Sequence, residues 1–255
     1  MRKYRMPVLF FLCILVLWEI LYRLKLWPEL IFPSAGTVLS AWMRMFVYDH
    51  VAGMIGYSLK LIGKGLLTGI LLAVVCSSMA MVRQGFYRIY HMVVSLCDLI
   101  PGVALIPLAI LWMGVGEGAV VLIVVHSVIW PMSRNMMDGF QSVPRLYIEV
   151  GKSIGLHGFS LVRGVYLPAA LPQIISGLRV GWARAWRGLI STEMIFGTTS
   201  SGAGIGWYIM MKRTNVDIAG VFAAILAIVM IGCVVEYVLF RTLEKHTVQK
   251  WGMSG

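Results

Sequence analysis

Residues Ser58–Val82 read SLKLIGKGLLTGILLAVVCSSMAMV, and only two of them, Lys60 and Lys64, are charged. The stretch is long enough to cross a bilayer, which takes about 20 mostly apolar residues. It is also rich in small residues: Gly63, Gly65, Gly69, Ala73, Ser77, Ser78 and Ala80. In lipid, such residues let neighbouring helix backbones approach closely. The segment therefore predicts one helix of a packed membrane bundle rather than a lone anchor.

Five further segments carry the same signal. They are Met6–Tyr22, Met92–Met113, Ala119–Met137, Ile174–Phe196 and Ile218–Phe240. Pro101 and Pro107 interrupt the third span in chain order, where each is expected to kink it. Composition agrees along the whole chain. Its 255 residues are 59% hydrophobic and only 13% charged, and mean hydropathy is +0.84. Soluble domains run about 45–50% apolar and about 25% charged. The predicted class is all-α and polytopic, with six transmembrane helices in one domain. We divide it into 1–57, a core over 58–240 and a tail over 241–255. Between the first two spans, Ser34 reads as an N-cap. Thr37–Phe46 follows with Val38, Leu39, Trp42, Met45 and Phe46 at helical spacing, predicting a short outer interfacial helix.

Basic residues orient the chain. With the N-terminus inside, twelve lie in inner segments (Arg2, Lys3, Arg5, Arg83, Arg88, Arg134, Arg145, Lys152, Arg163, Arg241, Lys245, Lys250). Five lie in outer segments: Arg23, Lys25, Arg44, Lys212 and Arg213. Both termini are thus expected in the cytoplasm, in a multi-pass plasma (inner) membrane protein. No A-x-A-like cleavage site follows the first apolar run, so it reads as an uncleaved span. The net charge of +11 sits between apolar blocks and forms no basic stripe, which points to the lipid bilayer rather than nucleic acid as its partner. Cys13, Cys76, Cys97 and Cys233 lie inside apolar stretches without a C-x-x-C, and read as small buried residues with no metal duty.

The longest loop on the inner side, 138–173, carries the function. Pro144 suits a helix start, and Gly155 suits a stop. A second short helix is expected over His157–Val165, ended by Leu167-Pro168. Ile148, Gly151, Ser153 and Ile154 give the first helix a small surface that a partner can press against. The loop thus predicts a helix–turn–helix knob at the inner surface.

This loop resembles the coupling loop, or EAA motif, of binding-protein-dependent ABC importer permeases. In words, that motif is an acidic residue, two small ones, three of any kind and a glycine, then nine of any kind, Ile, any, Leu, Pro. Glu149, Gly151, Gly155, Val165, Leu167 and Pro168 fall in that register, with Val150 and Gly151 for the two alanines and Val165 for the isoleucine. Pro33-Ser34, Ile100–Leu108, Gly177–Gly181 and Ala203-Gly204-Ile205-Gly206-Trp207 look like the nitrate/sulfonate/taurine branch. The resemblance implies a type I importer permease fold with a cytoplasmic coupling helix. It implies partners: two cytoplasmic ATPase subunits, a second permease copy forming a homodimer, and an extracytoplasmic substrate-binding protein. It implies as cargo a small oxyanion such as a sulfonate, taurine or nitrate. Thiamine precursors, riboflavin and phosphonates are the alternative cargoes. Asp98 stands where a basic residue is often found in this branch, which weakens transfer of the substrate. With no G-x-x-x-x-G-K-[ST] loop, the chain is expected to bind no cofactor, and ATP is left to the partner.

Charged residues inside spans are functional candidates by default. Asp98 reads either as a gate paired with Arg179 or Arg184, or as an interfacial group facing water. Arg184 and Arg187, three apart and nearly on one helix face, read either as cations of an oxyanion path or as partners for Glu193, Asp98 or Glu19. Pro101 and Pro107 join them as candidate gate elements. Glu193 is a gate or binding-protein contact, or else a structural hydrogen-bond acceptor. His126 reads as a satisfied packing residue rather than a proton relay. Trp18, Tyr22, Trp112, Trp130, Trp207, Tyr208 and Tyr237 read mostly as interface anchors. No catalytic residue is identified: H-E-x-x-H and G-x-S-x-G are both absent. Without an internal repeat, an ion-driven transporter is the weaker reading.

Overall fold

In lipid, every backbone polar group must be satisfied within the protein, which leaves helices for a chain of this hydropathy. A computed structural model describes residues 5–199 and 202–249, and these are helical apart from short connections. The one extended pairing among them is an isolated bridge between Thr199 and Gly202. Arg2, Lys3 and Lys250, used above to orient the chain, lie outside the described residues, as does the end of the 241–255 tail.

The helices are α1 (Arg5–Arg23), α2 (Ala35–Val47), α3 (Val51–Val82), α4 (Gln84–Cys97), α5 (Gly102–Met113), α6 (Glu117–Gln141), α7 (Arg145–Ser153), α8 (Phe159–Ala169), α9 (Leu171–Phe196), α10 (Ile205–Thr214) and α11 (Ile218–Thr247). α3, α6 and α11 are long and apolar enough to cross a membrane. The bent pairs α4–α5 and α8–α9 bring the total to five when each is taken as one span. The remaining predicted span, Met6–Tyr22, coincides with α1, a 19-residue helix.

The interfacial helix forms as expected. The Ser34 hydroxyl accepts from the Thr37 N–H at 3.0 Å and caps α2. Val38, Ala41 and Met45 of α2 turn inward, whereas Leu39 and Phe46 stay exposed.

The centre of the molecule is α3, α6 and α9. Gly65 and Gly69 meet α6 so closely that a Cβ at Gly65 would lie 2.3 Å from Val124 Cγ1, and one at Gly69 would lie 2.9 Å from Val128 Cβ. Gly177 meets α6 in the same way, its would-be Cβ standing 2.8 Å from Asn135 Cβ. Small residues thus set the helix spacing, as the composition of the second span implied. Gly63, by contrast, faces open space.

Three sequence readings change. The third span is broken rather than kinked: α4 and α5 meet at 91°. The break falls at 98–101, ahead of Pro101. Pro107 bends nothing, because it occupies the first turn of the regular α-helical part of α5, where its missing N–H has no partner to lose. In the loop, Leu167-Pro168 does not end the second helix. Val162–Tyr166 widens into a π-turn ahead of Pro168 and the helix continues to Ala169, consistent with a proline that cannot bond back to the preceding turn. Finally, Cys13 and Cys233 are exposed on apolar helices rather than buried, and all four cysteines are free.

Candidate functional site

Two regions gather the candidate residues. The first is the knob formed by α7 and α8. Pro144 is the N-cap of α7. A nine-residue helix is marginal alone, and this one is held at Gly151, its buried point. A Cβ there would stand 2.7 Å from Val165 Cγ2 and 2.9 Å from Leu161 Cδ1. Gly151 therefore faces the second helix of the knob and not a partner, which corrects the surface expected for it. Gly155 ends α7 at φ +85°, in the left-handed region, with nothing within 4 Å of a would-be Cβ. Ser160 then ties the turn, its Oγ accepting from the His157 N–H at 2.9 Å and donating to the His157 carbonyl at 2.7 Å. Glu149 is exposed. Leu146, Tyr147, Val150 and Ile154 are also exposed, at 64%, 54%, 53% and 72%. The knob therefore presents an apolar face with a carboxylate beside it, while Val165, Leu167 and Pro168 are half-buried behind it.

The second region is the break in the third span. Residues 98–103 leave a pocket of about 320 Å³ against His126, Ser127 and Trp130 of α6 and Arg184, Arg187, Gly188 and Ser191 of α9. Asp98 is only 12% exposed. It pairs with Arg184, as one sequence reading allowed, and with Arg134 at 3.4 Å, which none did. Arg179 pairs instead with Glu236 at 2.9 Å and Glu244 at 3.0 Å, its guanidinium 5.6 Å from the Phe240 ring centre. Arg187 is exposed, and its Nε–H donates to the Ala183 carbonyl at 3.1 Å. His126 is not the satisfied packing residue expected: neither ring nitrogen has a partner among the described residues, and nor has Trp130 Nε1. Trp130 is thus a pocket residue rather than an interface anchor. Pro101 lines the pocket and Pro107 does not.

Glu193 lies apart from both regions. Its carboxylate, on a residue 3% exposed, accepts the Ser58 hydroxyl at 2.7 and 2.9 Å and the Gly206 N–H at 2.9 Å. Ser58 Oγ in turn accepts the Ile205 N–H at 3.0 Å. Three helices, α3, α9 and α10, meet at this one carboxylate. The glycines flanking Ile205 make room for it, since a Cβ at Gly204 would lie 2.1 Å from Glu193 Cδ. The sequence held that signal in the pattern Gly204-Ile205-Gly206, but nothing in it pointed to Ser58.

A further polar cluster escaped the sequence reading. Lys212 of α10 reaches Asp49 at 2.8 Å and Asp217 at 3.1 Å, and the Tyr208 hydroxyl donates to Asp49 at 2.7 Å. Tyr208 is thus buried in a network, not an anchor at the interface. Burial alone would raise the Asp49 carboxyl, but Lys212 and Tyr208 outweigh it and hold it below the ordinary carboxylate value. Burial likewise works against the Lys212 ammonium, and Asp49 and Asp217 raise it above its ordinary value.

A family profile described as the binding-protein-dependent transport system inner membrane component matches residues 65–249. The chain belongs to this family. The match takes in both the knob and the pocket of the permease. A putative ABC transporter permease protein of Methanocaldococcus jannaschii is 30% identical over 240 residues, 91% of this chain and 87% of that protein. A putative aliphatic sulfonates transport permease protein, SsuC, of Bacillus subtilis is 25% identical over 241 residues, 94% of this chain and 85% of that protein. The formylaminopyrimidine transport permease protein ThiX of Halalkalibacterium halodurans is 27% identical over 241 residues, 93% of this chain and 92% of that protein. These relatives are transport permeases rather than enzymes, and the permease described here is an ABC importer permease of the same kind.

Proposed function

We propose that the permease forms the translocation path for a small oxyanion delivered by a soluble binding protein, and that ATP hydrolysed by partner subunits drives it. The observation that carries the coupling half of this reading is the knob. Its apolar face of Leu146, Tyr147, Val150 and Ile154 is exposed on the connection between two long apolar helices, and such faces mark interaction sites. Glu149, Gly151, Gly155, Val165, Leu167 and Pro168 form the element that seats in an ATPase subunit. Two permease copies and two ATPase subunits make the working assembly. The excess of basic residues on the knob side supports a cytoplasmic location for that side and for both termini. The cargo rests on the cationic lining of the pocket at the break and on the relative named for aliphatic sulfonates. The relative named for formylaminopyrimidine transport favours a second reading, a thiamine precursor as cargo.

The test is co-purification. The tagged chain is co-expressed with the products of its neighbouring genes and extracted in detergent, and the eluate is examined for an ATPase subunit. The ATPase is expected to elute with it in a 2:2 ratio. Gly155→Glu is expected to release it, because the side chain projects into the space left for the partner. Gly155→Ala controls for backbone strain, which costs about 1 kcal/mol at a left-handed position, and is expected to retain most of the complex. ATPase retention by the glutamate variant would remove the knob as the docking element.

A further inference from the structure

The pocket at the break of the third span has the composition of an anion site that is occupied from within. Its volume of about 320 Å³ lies at the low end for ligand pockets, roughly 300–1,000 Å³. It is lined by two guanidinium groups, Arg184 and Arg187, against one carboxylate, Asp98. That carboxylate is also shared with Arg134, so positive charge is in excess around it. Nitrogens of two further side chains, His126 and Trp130, are buried at the pocket without partners. Buried donors left in this way are costly unless something accepts from them. The α5 helix begins at this pocket, with Pro101, Gly102 and Val103 in its wall. The start of a helix carries partial positive charge, and broken membrane helices present such ends to anionic substrate groups. Each feature favours a negative ligand, and together they place the cations, the donors and the helix end around one space.

We infer that this pocket is a binding subsite for a small oxyanion, in which the Asp98 carboxylate occupies Arg184 until the ligand's own oxygens replace it. Arg187 is the cation that meets the ligand first, since it is exposed and its Nε–H donates only to the Ala183 carbonyl of its own helix. Asp98 gives Arg184 only its Oδ1, while Oδ2 faces Arg134; a sulfonate or carboxylate oxygen can replace that Oδ1, and a second oxygen can complete the planar fork of the guanidinium. Release of Asp98 would also loosen its link to Arg134 on α6, so that ligand binding bears on the helix that packs along both α3 and α9. The inference deepens the permease reading, and rests on it for the direction of travel.

The test is equilibrium binding of radiolabelled ethanesulfonate to the full-length chain in lipid nanodiscs, with ethyl methyl sulfone as the uncharged competitor. The wild type is expected to bind saturably, and the sulfone to compete poorly. Arg187→Gln is expected to weaken binding about 10- to 100-fold, the loss of one charge-assisted contact, and Arg187→Lys to restore part of it. Asp98→Asn is expected to act in the opposite direction and tighten binding, because it frees Arg184. Monodisperse elution of each variant controls for folding. The opposite signs separate a displaced internal anion from a merely structural ion pair. Equal weakening by both substitutions, unchanged binding with Arg187→Gln, or no binding in either wild type or Asp98→Asn would overturn the inference. If the ATPase still co-purifies in that last case, the subsite alone fails. If it does not, the permease assembly fails with it.

Discussion

Replacing Glu193 by alanine separates a gate from a structural joint. The side chain sits at the meeting of α3, α9 and α10, on a residue 3% exposed. Alanine removes the acceptor for the Ser58 hydroxyl, bound at 2.7 and 2.9 Å, and for the Gly206 N–H, bound at 2.9 Å. The hydroxyl can turn elsewhere, but the N–H cannot, because Gly206 is pinned against α9: a Cβ there would lie 2.5 Å from the Ile190 carbonyl oxygen. One stranded donor costs about 1–3 kcal/mol, and each lost bond to a carboxylate about 1.5–3 kcal/mol. Part of that is the same loss counted from two sides, so a net of about 3–5 kcal/mol is expected, within the range for a broken buried network. At about 2–4 °C per kcal/mol for a chain of this size, the thermal midpoint should fall by roughly 6–20 °C. The assay is recovery of monodisperse protein by size exclusion after heating in detergent, for wild type, Glu193→Ala, Ser58→Ala and the double variant. The cycle should show a coupling of about 1–3 kcal/mol. Wild-type thermal stability in Glu193→Ala, with transport lost, would refute the joint and restore the gate. So would a coupling within error of zero.

Two further substitutions test the packing and the polar network. Gly65→Leu should destabilise the bundle by at least about 1–3 kcal/mol, because even its Cβ would lie 2.3 Å from Val124 Cγ1, while Gly63→Leu, facing open space, should be near neutral in the same heating assay. Asp49→Asn should lower the thermal midpoint at pH 7 and lose its effect under acid. Asp49 is held below its ordinary value, so its contribution is present above the unfolded pKa of about 3.9 and disappears as pH falls through the lower folded value. Lys212 is raised, so its share is present below the unfolded pKa of about 10.4 and is lost only in stronger alkali. A midpoint difference that stays constant from pH 7 down to pH 3 would remove the ion pair as the cause.

Composition and spacing were enough to establish that the chain is a helical membrane bundle, because both are properties of short stretches. Apolar length, small residues at intervals and the Ser34 cap all act within one helix. The knob was legible for the same reason: its start at Pro144 and its stop at Gly155 are decided by local backbone preference, and the match of a motif over 149–168 needs no knowledge of what lies across the membrane. The need for a small residue at Gly151 was legible too, although the neighbour that requires it was not. A one-dimensional pattern says that a residue must be small, but not which neighbour requires it.

Pairing between helices was another matter. The sequence offered Arg179 and Arg184 as equal partners for Asp98. Five residues apart, they point to different sides of a helix, and the tertiary arrangement divided them: Arg179 went to Glu236 and Glu244 on α11, and Arg184 to Asp98 at the break. The break itself turns the third span by 91°, which is what brings Asp98 and Pro101 into one pocket with His126, Trp130 and Arg187. Glu193 found Ser58, 135 residues away, and Asp49 found Lys212. Such contacts depend on which faces meet once the helices are laid together. The charge pattern of each helix permits several answers, and only the close approach set by Gly65, Gly69, Gly177 and Gly204 selects one.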